Sequence, residues 1–161
     1  MTTSHRAPSA RQPPPTSLRY TLPVDRREQL HRACRAFDVA AVYLFGSRAD
    51  DGLRILAGAP VPGQGSDLDV AVLPGEGRTR LDRLADLQVA LEDVFAPLRV
   101  DLVPLDRVDA LFQFHAIDGH RVFAANPALV DRYELLVMRR GAELLPIQRA
   151  IERERFGVAS S

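Results

Sequence analysis

Two periods in the pattern of apolar and polar positions predict an alternation of helices and strands along this chain. A helix is predicted from about residue 23, because apolar side chains there recur at the i, i+3, i+4, i+7 spacing of one helix face: Leu30, Ala33, Cys34 and Phe37. A second helix is predicted over 81–95, where apolar residues follow the same period and charged residues occupy the other face. A third helical stretch is expected from about residue 127, with Gly141 and Pro146 kinking or splitting it.

Four apolar runs of strand length lie between these helices. Residues 39–45 form a continuous apolar run that is rich in β-formers. Alternating patterns at 68–72 and 98–104 predict strands with one polar face, and residues 119–124 predict a short last strand. Before that last strand, Asp106 is expected to cap a short helix.

The segment between the first two strands is predicted to begin as a helical turn and to continue as a long loop. Residues 47–51 suit the turn, which is expected to break at Gly52. Residues 53–65 are then rich in residues that favour loops: Gly58, Pro60, Pro62, Gly63 and Gly65. We expect this segment to be exposed and mobile.

Length and composition predict one domain with two dissimilar ends. A chain of 161 residues, 46% of them hydrophobic, is long enough for one domain with a proper core. Residues 1–19 are rich in Pro, Ser, Thr and Arg, and they bury too little apolar surface to offset the entropy of ordering. We therefore expect a disordered tail over 1–19, a folded domain over 20–140 and a helical extension over 141–161.

Charge and cysteine content narrow the classes of function. The 21 basic residues balance 21 acidic ones, so a nucleic-acid partner is not indicated. All basic residues are arginine, which excludes Schiff bases, a P-loop lysine and lysyl-nucleotide intermediates. The single cysteine, Cys34, excludes an internal disulfide and argues for a reducing compartment. Because no apolar run approaches the ~20 residues of a membrane span, we expect a soluble, cytoplasmic protein.

Three aspartates at strand positions point to metal-dependent phosphoryl transfer. Asp67 and Asp69 are one residue apart, so they project from the same side of a strand with Cα atoms roughly 6.6 Å apart. That separation suits ions about 3.5–4 Å apart, and Mg²⁺ suits oxygen ligands completed by phosphates and water. Asp101 lies in an otherwise apolar strand, where burying an unpaired carboxylate costs free energy. It is placed to act as a metal ligand or as a general base.

Gly46 and Ser47 follow the first strand and suit a phosphate. Glycine allows the backbone to approach a phosphate closely, and the amides at a helix start point at it with a favourable dipole. Ser47 adds a hydroxyl donor, and Arg48 is a candidate charge partner for a polyphosphate. A glycine-serine pair alone is usually only a turn, so this interpretation depends on the aspartates that follow.

The motifs LFGSRA at 44–49 and SDLDVAV at 66–72 resemble the signature of DNA polymerase β-like nucleotidyltransferases. The small size and the later VDLV at 100–103 are similar to the minimal, MntA-type members. Over about residues 24–140 this resemblance implies an α+β fold, in which helices pack on the small mixed β-sheet of a nucleotidyltransferase palm. It also implies ATP as substrate, two Mg²⁺ ions, and a carboxylate triad made of Asp67, Asp69 and Asp101.

The resemblance also suggests an acceptor. Members of this kind are often antitoxins encoded beside a helical HEPN-domain toxin, which they neutralise by transferring AMP to a toxin tyrosine. Two alternatives stay open: a non-catalytic antitoxin that acts by binding, and a nucleotidyltransferase that acts on RNA or on a small molecule of the aminoglycoside kind. An intact triad argues against pure binding, and small-molecule transferases usually carry an additional helical domain.

One departure from the family pattern affects access to the site. Nineteen residues separate Ser47 from Asp67, whereas the family pattern has about ten. The additional residues fall within 53–65, and an inserted loop costs little free energy. His115 and His120 are expected to be surface or turn residues rather than ligands.

Overall fold

The computed structural model describes residues 25–76 and 81–157 of the chain. The tail predicted over 1–19 and the last four residues, 158–161, lie outside the described residues. The strands are β1 (Val39–Phe45), β2 (Leu68–Pro74), β3 (Val100–Pro104) and β4 (His120–Ala124). The helices are α1 (Arg26–Ala36), α2 (Ala49–Leu56), α3 (Leu81–Phe95), α4 (Ala110–Ile117) and α5 (Pro127–Phe156), with a 3-10 turn at Leu105–Arg107.

The four strands form a mixed sheet in the order β3-β2-β1-β4. Strand β1 is antiparallel to β2 and to β4, while β2 and β3 are parallel. Because β1 is central and covered on both faces, its sequence is a continuous apolar run rather than an alternating one. The four predicted strands are present, and the expected α+β fold with a small mixed sheet is confirmed.

Helices cover both faces of the sheet. Helices α1, α2 and α3 pack on one face, where Val42 and Leu44 belong to their apolar cluster. Helices α4 and α5 pack on the other face, with Ala41 and Tyr43. Cys34 lies fully buried in the first cluster, and burial raises the pKa of its thiol to about 12. Cys34 is therefore a core residue and not an activated nucleophile.

Helix α2 is longer than the sequence predicts. Gly52 lies inside the helix and is buried, and a Cβ atom at this position would come within 2.7 Å of Leu44 Cδ1. This glycine makes room for the helix to approach the sheet, so it does not end the helix. The prediction of a loop was therefore wrong over 53–56, and the loop that remains occupies residues 57–67.

Helix α5 is one uninterrupted helix of 30 residues. The prediction that Gly141 or Pro146 splits it was wrong: Gly141 is buried against the Phe114 ring, and Pro146 lies inside the helix. The separate domain boundary at residue 141 stays a prediction. Although α5 is long, none of the helices in the described parts of the chain combines the length and apolarity needed to cross a bilayer.

The cap of α4 is also corrected. Asp109 is the N-cap, and its carboxylate accepts a hydrogen bond from the Phe112 amide at 2.8 Å. Asp106 lies in the preceding 3-10 turn. Asp106 and Asp109 are both suitable N-cap residues by sequence. The 3-10 turn contains Asp106, so the helix begins after Asp109.

Candidate active site

The structure brings the three predicted aspartates together at the start of the β2–β3 pair. Asp69 and Asp101 are register partners in the parallel pairing, so their side chains stand next to each other on one face. Asp67 precedes β2 by one residue. Asp69 interacts electrostatically with both of the other carboxylates. The grouping expected from strand alternation is therefore present.

The aspartates share the face of the sheet that carries α4 and α5. Phe45 is the antiparallel register partner of Asp69, and its side chain belongs to the apolar cluster under those two helices. Ala71, two residues after Asp69, lies in the same cluster. Asp67 and Asp101 are exposed and Asp69 is half-buried. The carboxylates thus lie where the helical layer ends and the sheet becomes open to solvent.

The pKa of the Asp69 carboxyl is raised above its ordinary value. Burial is the largest cause, and the negative charges of Asp101 and Asp67 add to it, while His115 on α4 partly opposes them. A carboxylate in this position is stabilised by a nearby cation. Asp69 is therefore the central member of the group, because it interacts with both of the other carboxylates.

Gly46 places the turn after β1 against this central carboxylate. Its φ is +73°, and a Cβ atom at position 46 would overlap the Oδ2 atom of Asp69. Glycine is thus required here both for backbone conformation and for space. Ser47 is exposed beside it, with its hydroxyl oxygen 3.3 Å from that of Ser66. The predicted phosphate-binding pair and the predicted aspartates therefore form one site.

Arg48 is near this site, but its guanidinium is engaged by the chain itself. Its Nε donates to Asp51 at 2.7 Å, and its two terminal nitrogens donate to backbone carbonyls of the loop over residues 57–67. The side chain is only 11% exposed. A contact between Arg48 and a polyphosphate stays a prediction, and the structure gives the residue a different set of partners.

A cavity of about 400 Å³ opens on the other side of Gly46 and Ser47. Its walls include His115 and His120, which are both exposed, as the sequence predicts. The His115 ring meets Phe45 edge to face at 5.8 Å, and His120 Nε2 lies 3.0 Å from Asp50 Oδ1. The strand predicted over 119–124 includes His120. The sequence does not show that this strand pairs with β1, because the pairing is a long-range contact, and so the position of His120 beside Gly46 could not be predicted.

The group of carboxylates suits a divalent cation. Oxygen donors are the ligands that Mg²⁺ prefers, and Mg²⁺ keeps open positions for phosphate and water. Among residues 25–76 and 81–157, no group of three or more Asp, Glu, His or Cys side chains is by itself arranged to hold a metal ion. A bound ion would therefore take further oxygen ligands from a nucleotide and from water, in addition to the carboxylates of Asp67, Asp69 and Asp101.

A family model described as "polymerase beta, nucleotidyltransferase" matches residues 28–128 of the chain. The chain belongs to the polymerase beta nucleotidyltransferase family. The matched region starts in α1 and ends in the first turn of α5, so it contains the whole sheet and all three aspartates. The family expected from the sequence motifs is therefore confirmed.

Solved structures share the fold. A chain from a complex of tri-AMPylated Shewanella oneidensis HEPN toxin with MNT antitoxin is 16% identical, with a TM-score of 0.58 over 81% of this chain and 96% of that chain. A chain from a toxin–antitoxin complex with AMP-PNP is 17% identical, with a TM-score of 0.51 over 82% of this chain and 94% of that chain. A comparison with curated protein sequences gives no match.

Proposed function

We propose that this protein transfers AMP from ATP to a tyrosine hydroxyl of a cognate HEPN toxin and thereby acts as its antitoxin. The observation that carries nucleotidyl transfer is the contact of Gly46 with Asp69, which joins a phosphate-binding turn to the carboxylates. The acceptor is supported by the similar structures, since one is a complex of an AMPylated HEPN toxin with its MNT antitoxin and another contains AMP-PNP.

The residues of the site divide the chemistry among them. Asp67, Asp69 and Asp101 would hold magnesium, which when bound supplies positive charge to the phosphates and to the attacking hydroxyl. Gly46 lets the polyphosphate approach the backbone, and Ser47 donates a hydrogen bond to it. Asp101 accepts the proton of the tyrosine hydroxyl. The bond from the tyrosine oxygen to the α-phosphorus forms as the bond to the leaving pyrophosphate breaks.

The described part of the chain favours an acceptor that brings its own domain. Its helices and strands form the sheet and the layers that cover it, and none of them forms a separate module that binds an acceptor. A folded toxin presents its tyrosine on a surface and needs no such module. We place this reaction in the cytoplasm, because the single cysteine is a free thiol and suits a reducing compartment.

The test is transfer of label from ATP. The purified full chain is incubated with ATP labelled on its α-phosphate, with Mg²⁺ and with the toxin encoded by the adjacent gene. We expect label on the toxin, lost in Asp69→Asn and kept in Asp93→Asn. Asp93 is the matched control because it is an exposed aspartate on α3, across the sheet from the site.

Other outcomes would identify the alternatives. Neutralisation of the toxin without label, and equally strong in Asp69→Asn, would indicate an antitoxin that acts by binding alone. Label on RNA or on an aminoglycoside, with none on the toxin, would indicate a different acceptor for the same chemistry.

A further inference from the structure

One side chain ties the loop over residues 57–67 to the start of α2. Arg48 Nη2 donates to the Pro62 carbonyl at 2.7 Å. Its Nη1 donates to the carbonyls of Gln64 at 3.0 Å and Ser66 at 3.1 Å. The guanidinium therefore holds three carbonyls from the five residues that directly precede Asp67.

Two neighbours keep the guanidinium in this orientation. Asp51 accepts a hydrogen bond from its Nε at 2.7 Å, so the positive charge has a partner within the same helix. On the loop side, Gly65 has a φ of +115°, and a Cβ atom there would come within 3.1 Å of Arg48 Nη1. The loop backbone thus fits closely around the guanidinium, and the positive φ at position 65 favours glycine.

The anchored segment leads directly into the site. Ser66, whose carbonyl Arg48 holds, immediately precedes Asp67, and the Ser66 hydroxyl lies 3.3 Å from that of Ser47. On its other side, Asp67 is followed by Leu68, whose amide donates to the Arg99 carbonyl at 2.8 Å where the β2–β3 ladder begins. The backbone at Asp67 is therefore fixed from one side by the sheet and from the other by Arg48.

We propose that Arg48 is a positioning residue, which holds Asp67 and Ser47 in place through the loop instead of binding the polyphosphate itself. The inference rests on the proposed nucleotidyl transfer for its catalytic consequence. Without the anchor, Asp67 belongs to a longer unconstrained segment, and a metal ion must order that segment before it can use the carboxylate. The two roles predict different defects, because a lost phosphate contact raises the KM for ATP whereas a misplaced carboxylate lowers metal affinity and kcat.

The experiment compares Arg48→Ala with a matched control, Arg54→Ala, in the full chain. Arg54 is an exposed arginine on α2 whose side chain donates to the Pro60 carbonyl at 3.5 Å and lies 3.9 Å from Asp51 Oδ1, but it holds none of the carbonyls bound by Arg48. Mn²⁺ affinity is measured without substrate by electron paramagnetic resonance, and backbone hydrogen exchange is followed over residues 59–66. Adenylylation kinetics give kcat and the KM for ATP.

We expect Arg48→Ala to weaken Mn²⁺ binding by about 10–100-fold, the usual effect of removing a group that orients a metal ligand. Exchange over 62–66 should accelerate, and kcat should fall while the KM for ATP stays within about twofold. Arg54→Ala should leave all of these unchanged. Arg48→Lys should behave like Arg48→Ala, because one ammonium cannot reproduce the planar fork that spans three carbonyls.

A second variant reaches the same contact from the loop. Gly65→Ala disturbs the guanidinium while leaving Arg48 in place, and it should also weaken Mn²⁺ binding. Its control is Gly58→Ala, which has a similar positive φ of +78° but no atom within 4 Å of the added carbon. If Arg48→Ala fails to fold, the comparison of Gly65→Ala with Gly58→Ala tests the proposal in its place.

The inference is overturned if Arg48→Ala, or Gly65→Ala in its place, binds Mn²⁺ with unchanged affinity and exchanges at the wild-type rate. A raised KM for ATP that Arg48→Lys restores would also overturn it and would make Arg48 a phosphate ligand. Mn²⁺ binding and exchange do not depend on the acceptor. Weakened Mn²⁺ binding and faster exchange, without any transfer of label by the wild type, would therefore support the anchor and contradict the proposed function.

Discussion

Gly46 lies so close to Asp69 that a Cβ atom at position 46 would overlap the Oδ2 atom of that carboxylate. The two residues are neighbours because Phe45 and Asp69 are register partners in the antiparallel β1–β2 ladder. The turn and the carboxylate are thus held together by the sheet and not by the connection between them. This explains how a long insertion between Ser47 and Asp67 leaves the site assembled.

Gly46→Ala should inactivate the enzyme. The added carbon must displace the Asp69 carboxylate or the turn, and a misplacement of ~1 Å at a reacting centre costs on the order of 100-fold in rate. The left-handed φ of +73° adds a penalty of about 1–2 kcal/mol to the free energy of folding. Transfer of label to the toxin and unfolding by urea measure the two effects.

Gly58→Ala separates backbone strain from the steric overlap. Gly58 has almost the same φ, +78°, but no atom lies within 4 Å of an added Cβ. We expect a similar loss of stability, about 1–2 kcal/mol, with activity retained. Equal loss of activity in both variants would mean that the overlap with Asp69 is not the cause.

Asp69→Asn should abolish activity and stabilise the metal-free protein at neutral pH. The pKa of Asp69 is raised in the folded state by burial and by Asp101 and Asp67, so the ionised form opposes folding. The folded state binds this proton more tightly than the unfolded state does. The stability that comes from protonated Asp69 is therefore complete at low pH and is lost as the pH rises through the raised pKa.

Urea unfolding in the presence of EDTA tests whether ionised Asp69 lowers the free energy of unfolding. The stability gained by Asp69→Asn should be larger at neutral pH than at a pH below the raised pKa, where wild-type Asp69 is protonated. Asp93→Asn is the matched control and should change stability little at either pH, since Asp93 is exposed. Added Mg²⁺ should stabilise the wild type and not Asp69→Asn. An Asp69→Asn protein that is less stable than the wild type at neutral pH would contradict the argument.

Local sequence was sufficient to predict that the three aspartates lie together, but not which residues surround them. The alternation in each strand places Asp69 and Asp101 on one face of the sheet, and the end of the apolar run predicts the turn at Gly46. The position of His115 against Phe45 depends on how α4 packs on the sheet, and no local pattern specifies that packing. The partners of Arg48 were missed for the same reason, since a loop's composition predicts exposure but not which side chain binds its carbonyls.

Gly52 shows why the sequence alone predicted the wrong end for α2. An isolated glycine after five residues of possible helix is a normal stop signal, and an alanine in a helix interior is usually about 1 kcal/mol more favourable than a glycine. Here a Cβ atom would come within 2.7 Å of Leu44 Cδ1 and 3.2 Å of Leu68 Cδ1, so the local preference is overridden by packing.

Gly52→Ala should therefore destabilise the protein, against the propensity scale. Overpacking of a core contact costs about 1–3 kcal/mol, which exceeds the gain in helix propensity. Urea unfolding shows whether the substitution raises or lowers the free energy of unfolding. A Gly52→Ala protein that is more stable than the wild type would show that α2 can shift away from Leu44 and Leu68 without penalty.

Two tyrosines on the α4–α5 face differ in whether their hydroxyl has a partner. The Tyr43 hydroxyl donates to Glu134 at 2.9 Å, and Glu134 also accepts from Arg121 at 3.1 Å. The Tyr133 hydroxyl is buried and has no hydrogen-bond partner within residues 25–76 and 81–157. Burial raises the pKa of Tyr133 to about 12.

Tyr43→Phe should consequently destabilise the protein, and Tyr133→Phe should not. Tyr43→Phe removes a hydrogen bond to a carboxylate and should cost about 1.5–3 kcal/mol, whereas Tyr133→Phe removes an unpaired buried hydroxyl and should be neutral or stabilising. Urea unfolding of each variant gives the two free energies. Transfer of label should survive in both, because neither tyrosine lies among the aspartates. If Tyr133→Phe were as destabilised as Tyr43→Phe, the Tyr133 hydroxyl would have to bind a partner outside the described residues, such as a buried water.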